Sequence, residues 1–299
     1  AWSVFQCADG KPTAGCAMPD SSFPGRFAVV GNPISHSLSP TIHSAFAAQM
    51  GRDIDYRAEL VAIDSFETWV GHFFERGGAG LNVTLPFKSR AFTLADQVSS
   101  RAKMAGAANF LRRAADGQII ADNTDGKGLV TDITGGAGWS LKDARILIVG
   151  AGGAVKGVIP ALLESGPAEI FIVNRTPERA ASLASEWATR DARVLGGGLD
   201  AANSGPWNMV INGTSTGLSG EMPALPEEMP LTDAYGYDMA YGAGPTPFMR
   251  WAEGRGAAAV RDGLGMLVEQ AAESFYLWLG HYPDTSSLID TLRAARATD

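Results

Sequence analysis

Two clusters are polar where a plain scaffold would place apolar side chains. Asn82-Val83-Thr84-Leu85-Pro86-Phe87-Lys88 follows a strand-like run and enters a helix-like one, which puts Asn82, Thr84 and Lys88 near one strand end. Asp122-Asn123-Thr124-Asp125-Gly126 falls where the grammar of the chain changes, the place for a cleft between two units. Taken singly, Lys88 is an ordinary surface lysine and Asp125 an ordinary helix cap. Brought together beside a nicotinamide, an ammonium and a carboxylate form an acid–base pair suited to carbonyl reduction.

A third cluster has the residues for a nucleotide. Gly150-Ala151-Gly152-Gly153-Ala154-Val155 lies between an apolar run and a helical one. Glycines there permit a tight turn and a close backbone approach to a pyrophosphate, which the helix N-terminus attracts. A strand–helix turn kept glycine-rich for steric reasons alone has the same letters. The next strand ends Val173-Asn174-Arg175-Thr176, with Arg179 one helical turn later and no carboxylate at the tip to take a ribose 2′-hydroxyl. Two guanidiniums there suit a 2′-phosphate through charge-assisted bonds. Without an anion, each would oppose the helix dipole by about 0.5 kcal/mol. NADP is therefore expected over NAD.

These residues need elements to hold them, and the hydrophobic spacing supplies candidates. Strands are expected at Phe27–Gly31, Ile54–Leu60 and Gly80–Thr84, helices at 39–50, Asp64–Arg76 and Pro86–Val98, and a hairpin at Asn109–Arg113 and Gln118–Ala121. Ser39 before Pro40 predicts an N-cap. Beyond Asp125, strands at Arg145–Val149, Glu169–Val173, Met209–Asn212, Tyr237–Met239 and Ala257–Arg261 alternate with helices at Ala154–Ser165 and Pro177–Thr189. The helix Leu264–Leu279 and a short one from about Ser286 close the chain. The expectation is an α/β protein of two domains. Residues 1–26 form an extension, 27–124 plus 262–299 a first α/β domain, and 125–261 a doubly wound, Rossmann-like domain for NADP. The C-terminal helices return to the first domain.

Composition narrows the partners. At 299 residues, two domains are expected, and net charge −8 lacks the basic stripe that nucleic acid or an anionic membrane needs. The longest apolar run, Ile146–Val155, is too short for a bilayer, and no basic-then-apolar leader opens the sequence, so the cytoplasm is the expected compartment. Cys7 and Cys16 cannot build a disulfide scaffold. With His36, His43, His72 and His281 scattered, they supply no catalytic zinc set, and no metal is expected. His36 is read as structural. Absence of any Tyr-x-x-x-Lys excludes a short-chain dehydrogenase.

GNPISHSLSP at 31–40, NVTLPFK at 82–88, DNTDG at 122–126, GAGGA at 150–154, NRT at 174–176 and DGLGML at 262–267 followed by Gln270 occur in one order, and with them the chain resembles the shikimate dehydrogenases from Phe27 to its end. That resemblance implies that 27–124 plus 262–299 form a substrate-binding domain across a cleft from the NADP domain, and that the chain carries out reversible reduction of 3-dehydroshikimate to shikimate by NADPH, on the route to aromatic amino acids. It implies that Lys88 and Asp125 are catalytic. Ser37, Ser39, Thr84, Lys88, Asn109, Asp125, Tyr241 and Gln270 would bind substrate. Gly150, Ala151, Gly152, Gly153, Ala154, Asn174, Arg175, Thr176, Arg179, Thr214, Met239 and Gly263 would bind NADP. Hydroxyls and amides suit a polyhydroxy acid, because each buried polar group left unmatched costs about 1–3 kcal/mol. Spacing with Leu267, Ala271 and Ser274 turns Gln270 inward.

In the expected mechanism Lys88 donates to the ketone oxygen while Asp125 orients it, and a neutral Lys88 accepts the hydroxyl proton in reverse; a purely electrostatic Lys88 is the alternative. Three positions depart from the family pattern: Val155 at the third small position of the glycine turn, Lys156 where Arg is common, and Phe110 where Thr is usual. The rivals are an NAD-using quinate/shikimate dehydrogenase and a catalytically silent NADP sensor. A monomer or a homodimer is expected.

Overall fold

Alternate side chains of one apolar strand enter different cores, and this repeats in both halves of the molecule. In β1 (Arg26–Gly31), Phe27 and Val29 join one buried cluster while Ala28 and Val30 join another on the opposite face. In β7 (Arg145–Val149), Ile146 and Ile148 face one core, and Leu147 and Val149 the other. Both strands are therefore central, covered on two sides, as their unbroken apolar runs require. The computed structural model describes residues 25–52, 54–214, 222, 225, 226, 228, 229 and 231–296. Cys7, Cys16 and the extension before Gly25 lie outside the described residues.

The first half holds α1 (Ser39–Gln49), β2 (Asp55–Leu60), α2 (Phe66–Glu75), β3 (Gly78–Val83), α3 (Lys88–Leu94), β4 (Gln97–Val98), α4 (Ser100–Ala105), β5 (Phe110–Arg113) and β6 (Ile119–Asp122). Its sheet runs β2-β1-β3-β5-β6-β4, with β5 antiparallel to both neighbours. α5 (Asp125–Thr131) then passes into a π-helical turn, Asp132–Gly136. The second half follows with β7, α6 (Gly153–Glu164), β8 (Glu169–Val173), α7 (Pro177–Ala188), β9 (Val194–Gly197), β10 (Met209–Asn212), β11 (Tyr235–Asp238), α8 (Pro247–Gly254) and β12 (Ala259–Arg261). These strands pair in parallel in the order β12-β11-β10-β7-β8-β9. That is the doubly wound dinucleotide-binding order, with its switch point between β7 and β10. α9 (Leu264–Leu279) and α10 (Ser286–Arg296) return to the first sheet, where Val268, Phe275, Ile289 and Leu292 share the core of Phe27 and Phe46.

Several expectations change. The helix expected over Pro86–Val98 ends at Leu94, because Asp96 and Ser99 pair with Ile119 and Ala121 at the sheet edge and so form β4; Ser99 then caps α4. Leu38, not Ser39, caps α1: its carbonyl takes the Ile42 amide, while Ser37 Oγ accepts from the Ser39 amide at 3.3 Å. Asp64–Arg76 divides into a short 3-10 turn, Ile63–Ser65, and α2. The strand expected at 237–239 lies at 235–238, and that at 257–261 shortens to β12. β1 starts at Arg26, inside the segment assigned to the extension. Sequence spacing missed β9 and α8. Among the described residues no helix is long and apolar enough to cross a membrane.

Candidate active site

Lys88 opens α3 and Asp125 opens α5, so each enters the site from a helix start fixed by the strand before it. The Lys88 carbonyl accepts from Ala108 at 2.9 Å, which ties that helix to the residue preceding Asn109. Asn123 holds the other turn: its Nδ2 donates to the Ala107 carbonyl at 3.0 Å, and its Oδ1 accepts from the Asp125 amide at 3.1 Å. The two side chains then meet. Lys88 Nζ lies 2.6 Å from Asp125 Oδ2, and Asn109 Nδ2 donates to Asp125 Oδ1 at 2.8 Å. Asp125 is buried and Lys88 keeps one fifth of its side chain exposed, so the ammonium can still reach a ligand.

Gln270 of α9 joins this cluster, its Oε1 accepting from Asn109 Nδ2 at 3.1 Å and from Thr124 Oγ1 at 3.3 Å. Its Nε2 donates to the Leu267 carbonyl of its own helix, a backbone partner that satisfies it without a ligand, while the Oε1 contacts give the inward orientation expected from its spacing. From the second half, α6 closes the far side: a Cβ built at Gly157 would lie 3.3 Å from Asp125 Oδ2. The carboxylate therefore sits where the two sheets' helices meet.

Ser37, Ser39, Thr84 and Tyr241 lie outside that hydrogen-bonded cluster. Thr84 follows β3, its amide bonded to the Val30 carbonyl at 2.9 Å. Tyr241, in the loop after β11, packs against the core of the first half together with Leu38 and Leu267. Asn82 does not present itself beside Thr84 and Lys88: it is buried, accepts from Tyr56 Oη at 2.7 Å, and donates to Ser274 Oγ at 2.9 Å and to the Asn109 carbonyl. It backs the site from within the core. Behind the site lies a group the sequence did not reveal. Arg101 grips Asp122 with two bonds at 2.6 and 2.8 Å and reaches Glu273 on α9 at 2.8 Å.

The nucleotide residues gather at the carboxyl ends of the second sheet. Gly150, at φ +110°, leaves β7 in a conformation that other residues rarely adopt. α6 begins with Gly152 as its cap and no side chain on its first amides, and Cβ atoms built at Gly152 and Gly153 would meet nothing within 4 Å. An anion can thus approach that helix end. Val155, the departure from the small-residue pattern, is fully buried, and its Cγ2 would lie only 2.5 Å from a Cβ on Gly213; the missing side chain on Gly213 makes its room. Asn174 Nδ2 donates to the Thr176 carbonyl at 3.0 Å, closing the turn that carries Arg175. Arg175 and Arg179 are exposed and enter no ion pair among the described residues. Lys156 is instead matched by Glu186 at 3.0 Å. Thr214 bonds Asn212 at the end of β10, while Gly263 packs so tightly that a Cβ would fall 2.2 Å from the Met239 carbonyl oxygen.

A doubly wound sheet with a glycine cradle, facing a lobe that offers a lysine–carboxylate pair, defines a nucleotide-dependent dehydrogenase. Family models match the chain as the shikimate dehydrogenase substrate binding domain over residues 29–111, shikimate / quinate 5-dehydrogenase over 130–196, and the shikimate 5′-dehydrogenase C-terminal domain over 263–293. A shikimate dehydrogenase (NADP(+)) of Alkalilimnicola ehrlichii is 51% identical over 268 residues, covering 90% of this chain and 98% of the relative. The Ael1 enzyme of Pseudomonas putida superposes with a TM-score of 0.84 at 43% identity, covering 90% of this chain and 98% of its own. Shikimate 5-dehydrogenase of Thermus thermophilus, solved with NADP(H) and shikimate, gives 0.81 at 34% identity, covering 91% and 99%. The chain belongs to the shikimate dehydrogenase family.

Proposed function

We propose that this chain catalyses the reversible, NADP-dependent reduction of 3-dehydroshikimate to shikimate, with residues 27–124 and 262–299 holding the substrate and 125–261 the cofactor. One observation carries the reading: the 2.6 Å contact between Lys88 and Asp125, at the junction that α6 closes. The residues fit the cofactor. The glycine cradle leaves its helix amides open, and the second strand ends in two exposed guanidiniums rather than a carboxylate.

NADPH, when bound, would supply the hydride for reduction, and NADP+ would accept it in reverse. Gly150–Ala154 would hold the pyrophosphate, Arg175 and Arg179 the 2′-phosphate with Asn174 and Thr176 beside them, and Thr214, Met239 and Gly263 the nicotinamide side. Lys88 donates to the substrate oxygen as negative charge develops there, and takes the proton back from the hydroxyl in reverse. Asp125 fixes the ammonium with one oxygen while Asn109 fixes its other oxygen, so neither group needs to reorganise during the reaction. Asn109, Gln270, Ser37, Ser39, Thr84 and Tyr241 match the hydroxyls and carboxylate of the substrate, whose polar groups each need a partner once buried. A monomer or a homodimer is compatible with this reading. We place the activity in the cytoplasm, where a nicotinamide pool is at hand.

The test is an assay of the purified full chain with shikimate or quinate and NADP or NAD, read by the absorbance of the reduced nicotinamide. Shikimate with NADP should turn over. NAD should be poorer in kcat/KM by about a hundredfold or more, because without the 2′-phosphate the charge-assisted contacts of both Arg175 and Arg179 are lost. Equal use of NAD, or no shikimate-dependent turnover, would contradict the reading.

A further inference from the structure

The loop from Met239 to Thr246 carries three features that a single distant side chain joins. Its two ends are fixed by Asp238, which accepts from the Ala240 amide at 3.1 Å and from Thr246 Oγ1 at 2.6 Å. Between them runs Tyr241-Gly242-Ala243-Gly244, a stretch whose two glycines make ordering expensive in backbone entropy. Arg296, at the last turn of α10, reaches this stretch. Its Nε donates to the Gly242 carbonyl at 3.1 Å, and its guanidinium carbon stands 5.2 Å from the centre of the Tyr241 ring.

The rest of α10 is anchored elsewhere. Leu288, Ile289 and Leu292 are buried in the core of the first half, and Arg293 pairs with Asp262 at 3.3 Å. A cavity of about 320 Å³ opens between this helix and the loop, lined by Pro245, Met249, Val260, Asp262, Arg293 and Arg296. Arg296 thus spans from a helix rooted in the substrate half to a loop rooted in the nucleotide half. The body of Tyr241 rests on the first-half core, while its hydroxyl makes no hydrogen bond among the described residues. Burial pushes the phenol's pKa up, with the Arg296 charge opposing in part, so the hydroxyl keeps its proton and remains a donor.

We propose that Arg296 is a positioning residue, which by stacking on Tyr241 and bonding Gly242 aims the tyrosine hydroxyl at shikimate and thereby sets substrate affinity rather than the rate of the chemical step. The inference rests on Tyr241 being a substrate contact, as assigned above. A half-exposed cation–aromatic contact of this kind, with its accompanying hydrogen bond, is worth about a five- to tenfold change in affinity.

The experiment is a double-mutant cycle on the full chain, using Arg296→Met, Tyr241→Leu and the pair, with Arg296→Lys as the conservative variant. Shikimate dissociation constants come from calorimetry, and kcat and both KM values from steady-state assays. Arg296→Met should raise the shikimate Kd and KM about five- to tenfold. It should leave kcat and the NADP KM within about twofold, and Arg296→Lys should recover part of the loss. In the Tyr241→Leu background, Arg296→Met should change little, because the ring through which it acts is gone. Additive losses, or a shifted NADP KM with shikimate affinity intact, would overturn the proposal. A parent chain that binds shikimate yet reduces no NADP would contradict the functional reading instead, since the binding cycle is read without turnover.

Discussion

Asp125 has both oxygens committed before any ligand arrives, one to Lys88 and one to Asn109, and this determines what each substitution should do. Lys88→Ala removes the only cation touching that carboxylate among the described residues and, on the proposed mechanism, the donor to the reacting oxygen. Turnover should fall by about a hundred- to ten-thousandfold, the usual worth of a general acid–base group, with shikimate Kd nearly unchanged. His43 makes a different prediction. It is fully buried, stacked on Tyr56 at 4.2 Å, and neither ring nitrogen has a partner among the described residues. Burial pulls its pKa down to about 3, the Asn82 side chain opposing only in part. Unfolded, the imidazole binds a proton near its ordinary value of about 6.5. Between those values the unfolded chain holds the extra proton, so the stability from a neutral His43 is complete above about pH 6.5 and drains away as pH falls towards 3. Urea titrations at pH 6 and pH 4.5 should show the parent losing about 1–2 kcal/mol more than His43→Leu. An identical loss in both proteins would remove the claim. Lys88 and Asp125 stand out in the sequence as polar groups at a strand end and at a change of grammar, whereas Asn109 and Gln270 enter only through the family resemblance, Gln270 with a helical spacing that turns it inward. Asn82 shows the limit of such a signal: polarity marks a satisfied buried network as readily as a site, and only contacts with Tyr56 and Ser274 tell them apart.

Elements decide whether these side chains converge. β6 delivers the Asp122–Asp125 turn, α9 delivers Gln270 and Ser274, and Arg101 clamps the two by holding Asp122 and Glu273 at once. All three side chains are largely buried, so removing the cation strands two carboxylates out of water. Arg101→Met should lower unfolding free energy by about 2–4 kcal/mol, measurable by denaturant titration, whereas an isolated surface pair would lose under 1. A loss below that bound would mean the clamp is solvated. Strand and helix positions around it were visible wherever spacing alone governs, as in β7, β8 and α9. They failed where tertiary pairing overrides it. Residues 95–99 continue a helical pattern but are drawn into the sheet edge by Ile119 and Ala121. β9 ends in two glycines, which carry no side-chain period. α8 carries a start signal in Thr246 before Pro247, whose hydroxyl caps the Met249 amide at 3.2 Å.

At the scale of the molecule, the chain leaves the first sheet through α5, completes the doubly wound sheet, and returns through α9 and α10. Change of grammar at Asp125 and again near Asp262 made that itinerary readable, since parallel strands need crossovers and a closing helix needs an apolar surface to rest on. Contacts such as Arg296 with Tyr241, between residues 55 apart in sequence and in different halves, left no pattern to read. Cofactor choice also belongs here, because both arginines proposed for the 2′-phosphate stand in the second half. Replacing Arg175 and Arg179 together by alanine should raise the NADP KM by about a hundredfold or more while NAD and shikimate KM values hold, the loss of two charge-assisted contacts. The most direct test of the whole account is a crystal structure with shikimate and NADP bound together. Shikimate's reacting hydroxyl should lie within hydrogen-bond reach of Lys88 Nζ, on the Asp125 side, with the nicotinamide against Met239 and Gly263. A substrate bound away from Lys88, or a dinucleotide lying off the Gly150–Ala154 turn, would contradict it.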